Sequence, residues 1–418
     1  MSSVPPSEAA YDRIRLRQWA RGRARSAGVG RRDLLKLVAA ASAAGSLASV
    51  ASPAHAAGSL PGVVKPLPPE LFTLRGTNAE TNFAALRDTG LLTPADRFFV
   101  RNHTATPRID VADWRLKVWG DGLTGGPVEF SYADLLALPS VSRTAFVECA
   151  GNARSFYASQ QNQPVTGTAW TLGAIGTARW RGVRLADVLH RAGIGRDAVD
   201  VLPRGLDGEV VSDGIQLGRV RRPLPVAKAL DDVLLAYEMN GEPLPPDHGF
   251  PVRLIVPSWV GIASIKWVGD IEVSAQPLLS PWNTTLYRLF GPAHPPEGSA
   301  PLSRQTLKSA FELAQGATFT AHRHQVLTGR SWSGGAPVRS VEVSTDGGTR
   351  WHRARLRDEP RQGSWVRWSA DWVPAERGPA VLLARATDRS GRSQPEVSVH
   401  NTQGYLFDAV VRHPVTVV

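Results

Sequence analysis

The sequence predicts an α+β domain followed by a β-sandwich, with a basic leader in front. Three observations carry this. From Phe98 to about Ser280, short strand-like runs alternate with short helices but do not repeat as regular strand–helix–strand units. Residues 281–310 include "GPAHPPEGSAPLS", rich in Pro, Gly and Ser, which reads as a linker. Beyond it, short strands separated by Gly-containing turns recur at the spacing of a sandwich of about 100 residues.

The leader comes first. "GVGRRDLLKLVAAASAAGSLASVASPAHAAG" places Arg31-Arg32 ahead of a weakly apolar Ala/Ser/Gly run and ends in Ala54-His55-Ala56, an A-x-A cleavage site. Paired arginines in this context resemble a twin-arginine signal over residues 1–56, a route that carries folded proteins out of the cytoplasm. The leader also explains much of the formal charge of +11. Residues 1–36 hold nine Arg or Lys against three acidic residues, so the body shows no strong nucleic-acid surface. No later segment has the roughly 18 apolar residues of a membrane span.

The elements follow in order. Residues 57–95 are rich in Pro and Leu ("LPGVVKPLPPELF") and are expected to wrap over the surface. "RLKVWG" (115–120) alternates as a strand does, and "SYADLLALP" (131–139) runs from a capping serine to a proline as a short helix does. "RLADVLHRAG" (184–193) is a helix closed by glycine, and "FPVRLIVPS" (250–258) is a strand expected to be buried on both faces. "SVEVSTDGGTRWHRARL" (340–356) is a hairpin turning at Asp346-Gly347-Gly348, and "AVLLARATD" (380–388) is another strand.

Cys149 is the one cysteine in the chain, so an exported protein here has no internal disulfide. The thiol is a buried small hydrophobe, an intermolecular link, a nucleophile or a metal ligand. Other candidate chemistry is scattered. "FFVRNHT" (98–104) brings a cation, an amide and an imidazole together after an apolar run, a pattern shared by anion sites and ordinary loop starts. "PRGLDGE" (203–209) sets Asp207 in a loop. "MNGEPLPPDHGFPVRLIVPSWVGIASIKWVG" (239–269) has too many prolines for a helix and offers His248, Arg253, Ser264 and Lys266 near glycines that let a backbone approach a phosphate. His322 and His324 share a strand face but lack further metal ligands. There is no G-x-G-x-x-G after a strand, no phosphate loop of the Walker type and no G-x-S-x-G elbow.

Together, "FFVRNH", "ECAGNARSF", "GAIGTARWRGVRLADVL", "GLDGE", the 239–269 stretch and "WSGGAPVRSVEVSTDGGTRW" resemble the sulfite oxidase family of molybdenum enzymes, in the family's order and over nearly the whole mature chain. The resemblance implies a molybdopterin-binding domain over 57–300 and an immunoglobulin-like dimerisation domain over 301–418. It implies Cys149 as the protein ligand to molybdenum. Phe99, Val100, Arg101, Asn102 and His103 would line the cofactor, molybdenum-molybdopterin. Asp207, His248, Arg253, Ser264, Ile265 and Lys266 would hold the pterin and its phosphate. Arg101, Arg154 and Arg367 would line a substrate-anion pocket with Trp170 nearby. Two positions depart from the family pattern: Leu279 stands where a pocket tyrosine precedes Ser280-Pro281-Trp282, and Ala153 replaces the first of two arginines after "CAGN". Tyr287 is not expected to make up for the former.

The implied activity is oxidation of sulfite to sulfate in a periplasmic or other extracytoplasmic compartment, by a homodimer. With no C-x-x-C-H possible, electrons would pass to an external cytochrome c or heme subunit. The alternatives are a sulfane dehydrogenase subunit or a reductase of S- or N-oxides, and, in a different class, a cofactor-free secreted binding protein on the same scaffold.

Overall fold

A computed structural model describes residues 60–212 and 214–418. The leader, its paired arginines and its cleavage site lie outside the described residues. The expected α+β domain and β-sandwich are both present. One mixed and one antiparallel sheet build the first. One orders its strands Leu224–Pro225, Asp200–Gly205, Val268–Ser274, Arg115–Trp119 and Val128–Ser131. Within it Val268–Ser274 runs parallel to Arg115–Trp119. The other places Leu234–Met239, Ile175–Arg184 and Ser140–Glu148 side by side, with Arg253–Ile255 also paired to Leu234–Met239.

Local chemistry explains the short helices. Ser131 caps Tyr132–Ala137, its Oγ accepting from the Asp134 backbone N–H at 3.1 Å while Asp134 accepts from the Ser131 N–H at 2.8 Å. Leu185–Arg191 stops at Gly193, whose φ of +80° suits glycine. The strand expected over 250–258 shortens to Arg253–Ile255, flanked by prolines, and is buried throughout. The 3-10 turn Pro246–His248 stands where prolines exclude a helix.

Two stretches differ from expectation. The arm from Leu60 to Val100 forms a hairpin, Phe72–Arg75 with Asn78–Thr81, over a small core of Leu60, Leu67, Phe72, Ala79 and Val100. Residues 281–310 are a packed strip rather than a free linker. The helix Pro281–Thr284 is wholly buried, Arg288 is inaccessible, and the Arg222 guanidinium donates to the carbonyls of Trp282 and Leu302. Large apolar residues among the prolines give this strip something to bury.

The sandwich pairs two sheets. Lys308–Phe311, Gln325–Trp332, Trp365–Trp372 and Arg355–Leu356 form one. Thr318–Phe319, Arg412–Val417, Gly378–Asp388, Val338–Ser344 and His352–Arg353 form the other. Leu327, Val341, Trp368, Leu382 and Ala386 fill the space between. The predicted hairpin is present, with Glu342 opposite Arg353 and positive φ at Gly347 and Gly348. His324 meets Asp371 on the exposed surface at 3.0 Å. Among the described residues no group of three metal-ligating side chains forms, and no helix is long and apolar enough to cross a membrane.

The domains are joined by buried polar contacts. Glu148 and Lys308 are almost inaccessible and pair at 2.7 Å across the boundary. The Glu148 carboxylate also accepts from Trp332 Nε1 at 3.0 Å and Asn152 Nδ2 at 3.0 Å. A second connection comes from the irregular run between the last two long strands. There the Leu406 N–H donates to the Ala150 carbonyl at 2.8 Å, and Phe407 packs edge-on against Tyr157.

Candidate active site

The strand Ser140–Glu148 is buried over its last four residues and delivers Cys149 to the wall of a cleft. The Cys149 N–H donates to Ala174 O at 2.9 Å, and Asn152 N–H closes a tight turn onto Cys149 O at 2.9 Å. Gly261 lies against this loop: a Cβ there would come within 2.6 Å of Glu148 O, so the close approach requires glycine.

The same cleft is lined by a cationic cradle. Arg253 donates to the carbonyls of His248 at 2.8 Å and Ser264 at 3.2 Å, and stands over the Trp180 ring. Lys266 donates to the Asp247 carbonyl at 2.8 Å and to Asn102 Oδ1. Neither cation has a carboxylate hydrogen-bond partner. Burial brings Arg253 down to about 9 and holds Lys266 well below the usual lysine range, Arg253 adding repulsion. Burial also keeps His248 and His103 neutral, helped by Lys65, Lys266 and Arg253 near the first and by Arg101 and Lys266 near the second.

The sequence expectations divide as follows. Phe99, Arg101, Asn102, His103, Cys149, Asp207, His248, Arg253, Ser264, Ile265 and Lys266 all line this one cleft. Val100 does not. It pairs with Ala79 and buries its side chain in the arm's core, because alternation along the chain turns it away from Phe99 and Arg101. Arg154 is also off the wall. Its Nε and Nη1 donate to the carbonyls of Gln403 at 3.0 Å and Thr168 at 2.9 Å, and its guanidinium lies 5.2 Å from the Tyr405 ring. Arg367 is a correction of a different kind. It sits in the sandwich and chelates Asp358, at 2.7 Å from Nη2 and 3.0 Å from Nε, which fixes it away from the cleft. Trp170 is buried behind Phe99, edge-on at 6.5 Å.

Sequence reasoning missed Asp247, whose carboxylate accepts from the Lys65 N–H at 2.7 Å and the Val64 N–H at 3.0 Å, tying the arm to the cradle. The aspartate beside His248 in "PPDHG" was the available signal. It also missed Tyr287, which lines the cleft with Cys149 and Arg101. Leu279 is not on the wall.

Residues 103–282 match the oxidoreductase molybdopterin binding domain, and residues 311–417 match the Mo-co oxidoreductase dimerisation domain. The chain is 36% identical over 338 residues to the sulfite oxidase of Gallus gallus, covering 76% of this chain and 72% of that one. It is 37% identical over 345 residues to the mitochondrial sulfite oxidase of Rattus norvegicus, covering 78% of this chain and spanning 62% of that relative's length. Its structure resembles the sulfane dehydrogenase SoxCD from Paracoccus pantotrophus, with a TM-score of 0.71 and 27% identity, covering 82% and 85% of the two chains. Fold and cleft thus define a molybdopterin-binding oxidoreductase. The chain belongs to the sulfite oxidase family, and its cofactor is molybdenum-molybdopterin.

The residues present suit that group. Asp207 Oδ1 and His248 Nε2 are buried at the cleft without hydrogen-bond partners, ready for a ring edge with donors and acceptors. Two buried cations with no carboxylate hydrogen-bond partner suit an anion such as a phosphate. A lone sulfur in the same cleft suits a soft metal.

This arrangement has a cost before loading. Burial raises Asp207 from 3.8 to about 6 against the pull of Lys266 and Arg219. The folded state therefore holds this proton more tightly than the unfolded chain. Its contribution to stability is present below 3.8 and is lost as pH rises through about 6. In the metal-free protein, Asp207→Asn should escape this loss. Denaturant melts at acidic and neutral pH should show wild type falling roughly 2–3 kcal/mol more than the variant.

Proposed function

We propose that the chain oxidises a small sulfur oxyanion, sulfite to sulfate, and passes the electrons to an external cytochrome c or heme subunit. In this reading it works as a homodimer after export through the twin-arginine route. The observation that supports it most is that Cys149, Arg101 and Tyr287 line the same cleft as the cationic cradle.

In this reading the Cys149 sulfur is the protein's metal ligand, and Arg253, Lys266, Ser264, Asp207 and His248 hold the pterin and its phosphate. When bound, molybdenum-molybdopterin supplies oxygen-atom transfer and accepts two electrons. Overall, sulfite and water become sulfate, two protons and two electrons. Arg101 binds the incoming anion, and its permanent charge offsets the substrate's. His103, kept neutral beside Arg101, adds no second charge but offers a ring nitrogen. Phe98, Phe99 and Val147 keep water from the sulfur side of the cleft.

The test is steady-state turnover of metal-loaded protein with ferricyanide as acceptor and sulfite, a sulfane-sulfur compound and dimethyl sulfoxide as substrates. Sulfite-dependent reduction of ferricyanide is the expected result, and its absence overturns the reading. Activity confined to the sulfane compound would instead establish the second reading, which the likeness to SoxCD favours. The cofactor-free binding protein is set aside, since the family's cofactor fits the cleft.

A further inference from the structure

We propose that Glu148 is a positioning residue for the Cys149 sulfur, and that the second domain holds it in place through Lys308 and Trp332; the inference rests on Cys149 being the metal ligand, as read above. At the strand end, Val147 and Cys149 line the cleft and Glu148 does not. Alternation sends its carboxylate to the back of the same wall, into the domain junction. Sulfur and carboxylate thus sit on neighbouring residues, and what fixes one fixes the peptide that carries the other.

Each hydrogen-bond partner of this carboxylate among the described residues is a donor. Lys308 Nζ donates to Oε1 at 2.7 Å, Asn152 Nδ2 to the same oxygen at 3.0 Å, and Trp332 Nε1 to Oε2 at 3.0 Å. Three converging donors call for an acceptor-only group, and a carboxylate is that group. Lys308 and Trp332 lie opposite each other on paired strands of the sandwich, so one cross-strand pair supplies two of the donors. The third closes a ring back to the cysteine. Asn152 Oδ1 accepts from the Ala174 N–H at 3.0 Å, and the Ala174 carbonyl accepts from the Cys149 N–H at 2.9 Å. Gln305 Nε2 adds a bond of 2.6 Å to the Glu148 carbonyl itself. Glu148 therefore sets the plane of the Asn152 amide, and Asn152 sets the turn around Cys149. All four side chains, Glu148, Asn152, Lys308 and Trp332, are buried, so a lost partner is not replaced by bulk water. Glutamine at 148 keeps the size but turns one acceptor into a donor, which must then face another donor.

The experiment uses the full, metal-loaded chain and compares wild type, the double variant Glu148→Gln/Lys308→Met, and Cys149→Ser. The double variant removes both charges together, which separates position from the cost of an unpaired charge. Its paramagnetic resonance signal from pentavalent molybdenum should shift from that of wild type, because this signal reports the metal–sulfur geometry. Its kcat for sulfite should fall about tenfold with KM within about twofold, since Arg101 and the cleft wall are untouched. Its molybdenum content should stay near the wild-type level. Glu148→Gln alone, which keeps an acceptor for Lys308, gives the same readings where the double variant does not fold. A wild-type signal and kcat in the folded variant overturn the positioning role and leave the pair to join the domains alone. Loss of all its molybdenum overturns the role too, since the effect would then fall on the cavity as a whole. Cys149→Ser that keeps the wild-type signal instead sinks the ligand reading, and the inference with it.

Discussion

Lys308→Met is expected to destabilise the chain by about 3–5 kcal/mol, because it leaves the Glu148 carboxylate buried without its cation. Glu148 is fully inaccessible, and its remaining partners, Asn152 and Trp332, are neutral donors. They satisfy lone pairs but do not neutralise charge. Glu148→Gln combined with Lys308→Met removes both charges and should recover more than half of the loss. Denaturation of the single and double variants, closed into a cycle, measures the coupling directly. A single-variant cost below about 1 kcal/mol would show that the pair is better solvated than its burial indicates.

Cys149→Ser should give the second large effect. Serine is nearly isosteric, and the loop is held by backbone bonds to Ala174 and Asn152 that do not involve the sulfur, so the fold should survive. In the proposed reading, where Cys149 is the metal ligand, sulfite turnover should fall by ~100-fold or more, because a hard hydroxyl replaces a soft sulfur. The pterin should be retained better than the metal. The cradle proposed for it, Arg253, Lys266 and Asp207, is built from other parts of the chain. Parallel assays of molybdenum and pterin in the purified variant check this. Equal and complete loss of both would show that the thiolate anchors the entire cofactor.

The sequence revealed most of the cradle because its residues lie in short contiguous motifs. "FFVRNH" and the 239–269 stretch each place several polar groups within a few residues of glycine or proline, and a strand end or tight turn then aims them one way. Val100 shows the limit of that reading. Inside the same motif it faces away, since alternation along an extended chain sends neighbours to opposite sides. Arg367 shows another limit: nothing nearby in "SWVRW" reveals that Asp358, nine residues earlier, will claim its guanidinium. Arg154 and Tyr405 depend on a contact between positions some 250 residues apart, which no local pattern encodes. Glu148 and Lys308 are likewise distant, and a glutamate next to the cysteine gives no sign by itself of being fully buried.

The docking of Leu406 on Ala150 sets an order of events during synthesis. The cysteine loop leaves the ribosome about 250 residues before the run that docks on it. Until then the nascent first domain exposes an unfinished wall. The cysteine loop therefore gains this support only after residue 406 has been made, so its final shape is a product of the second domain's folding as well as the first's.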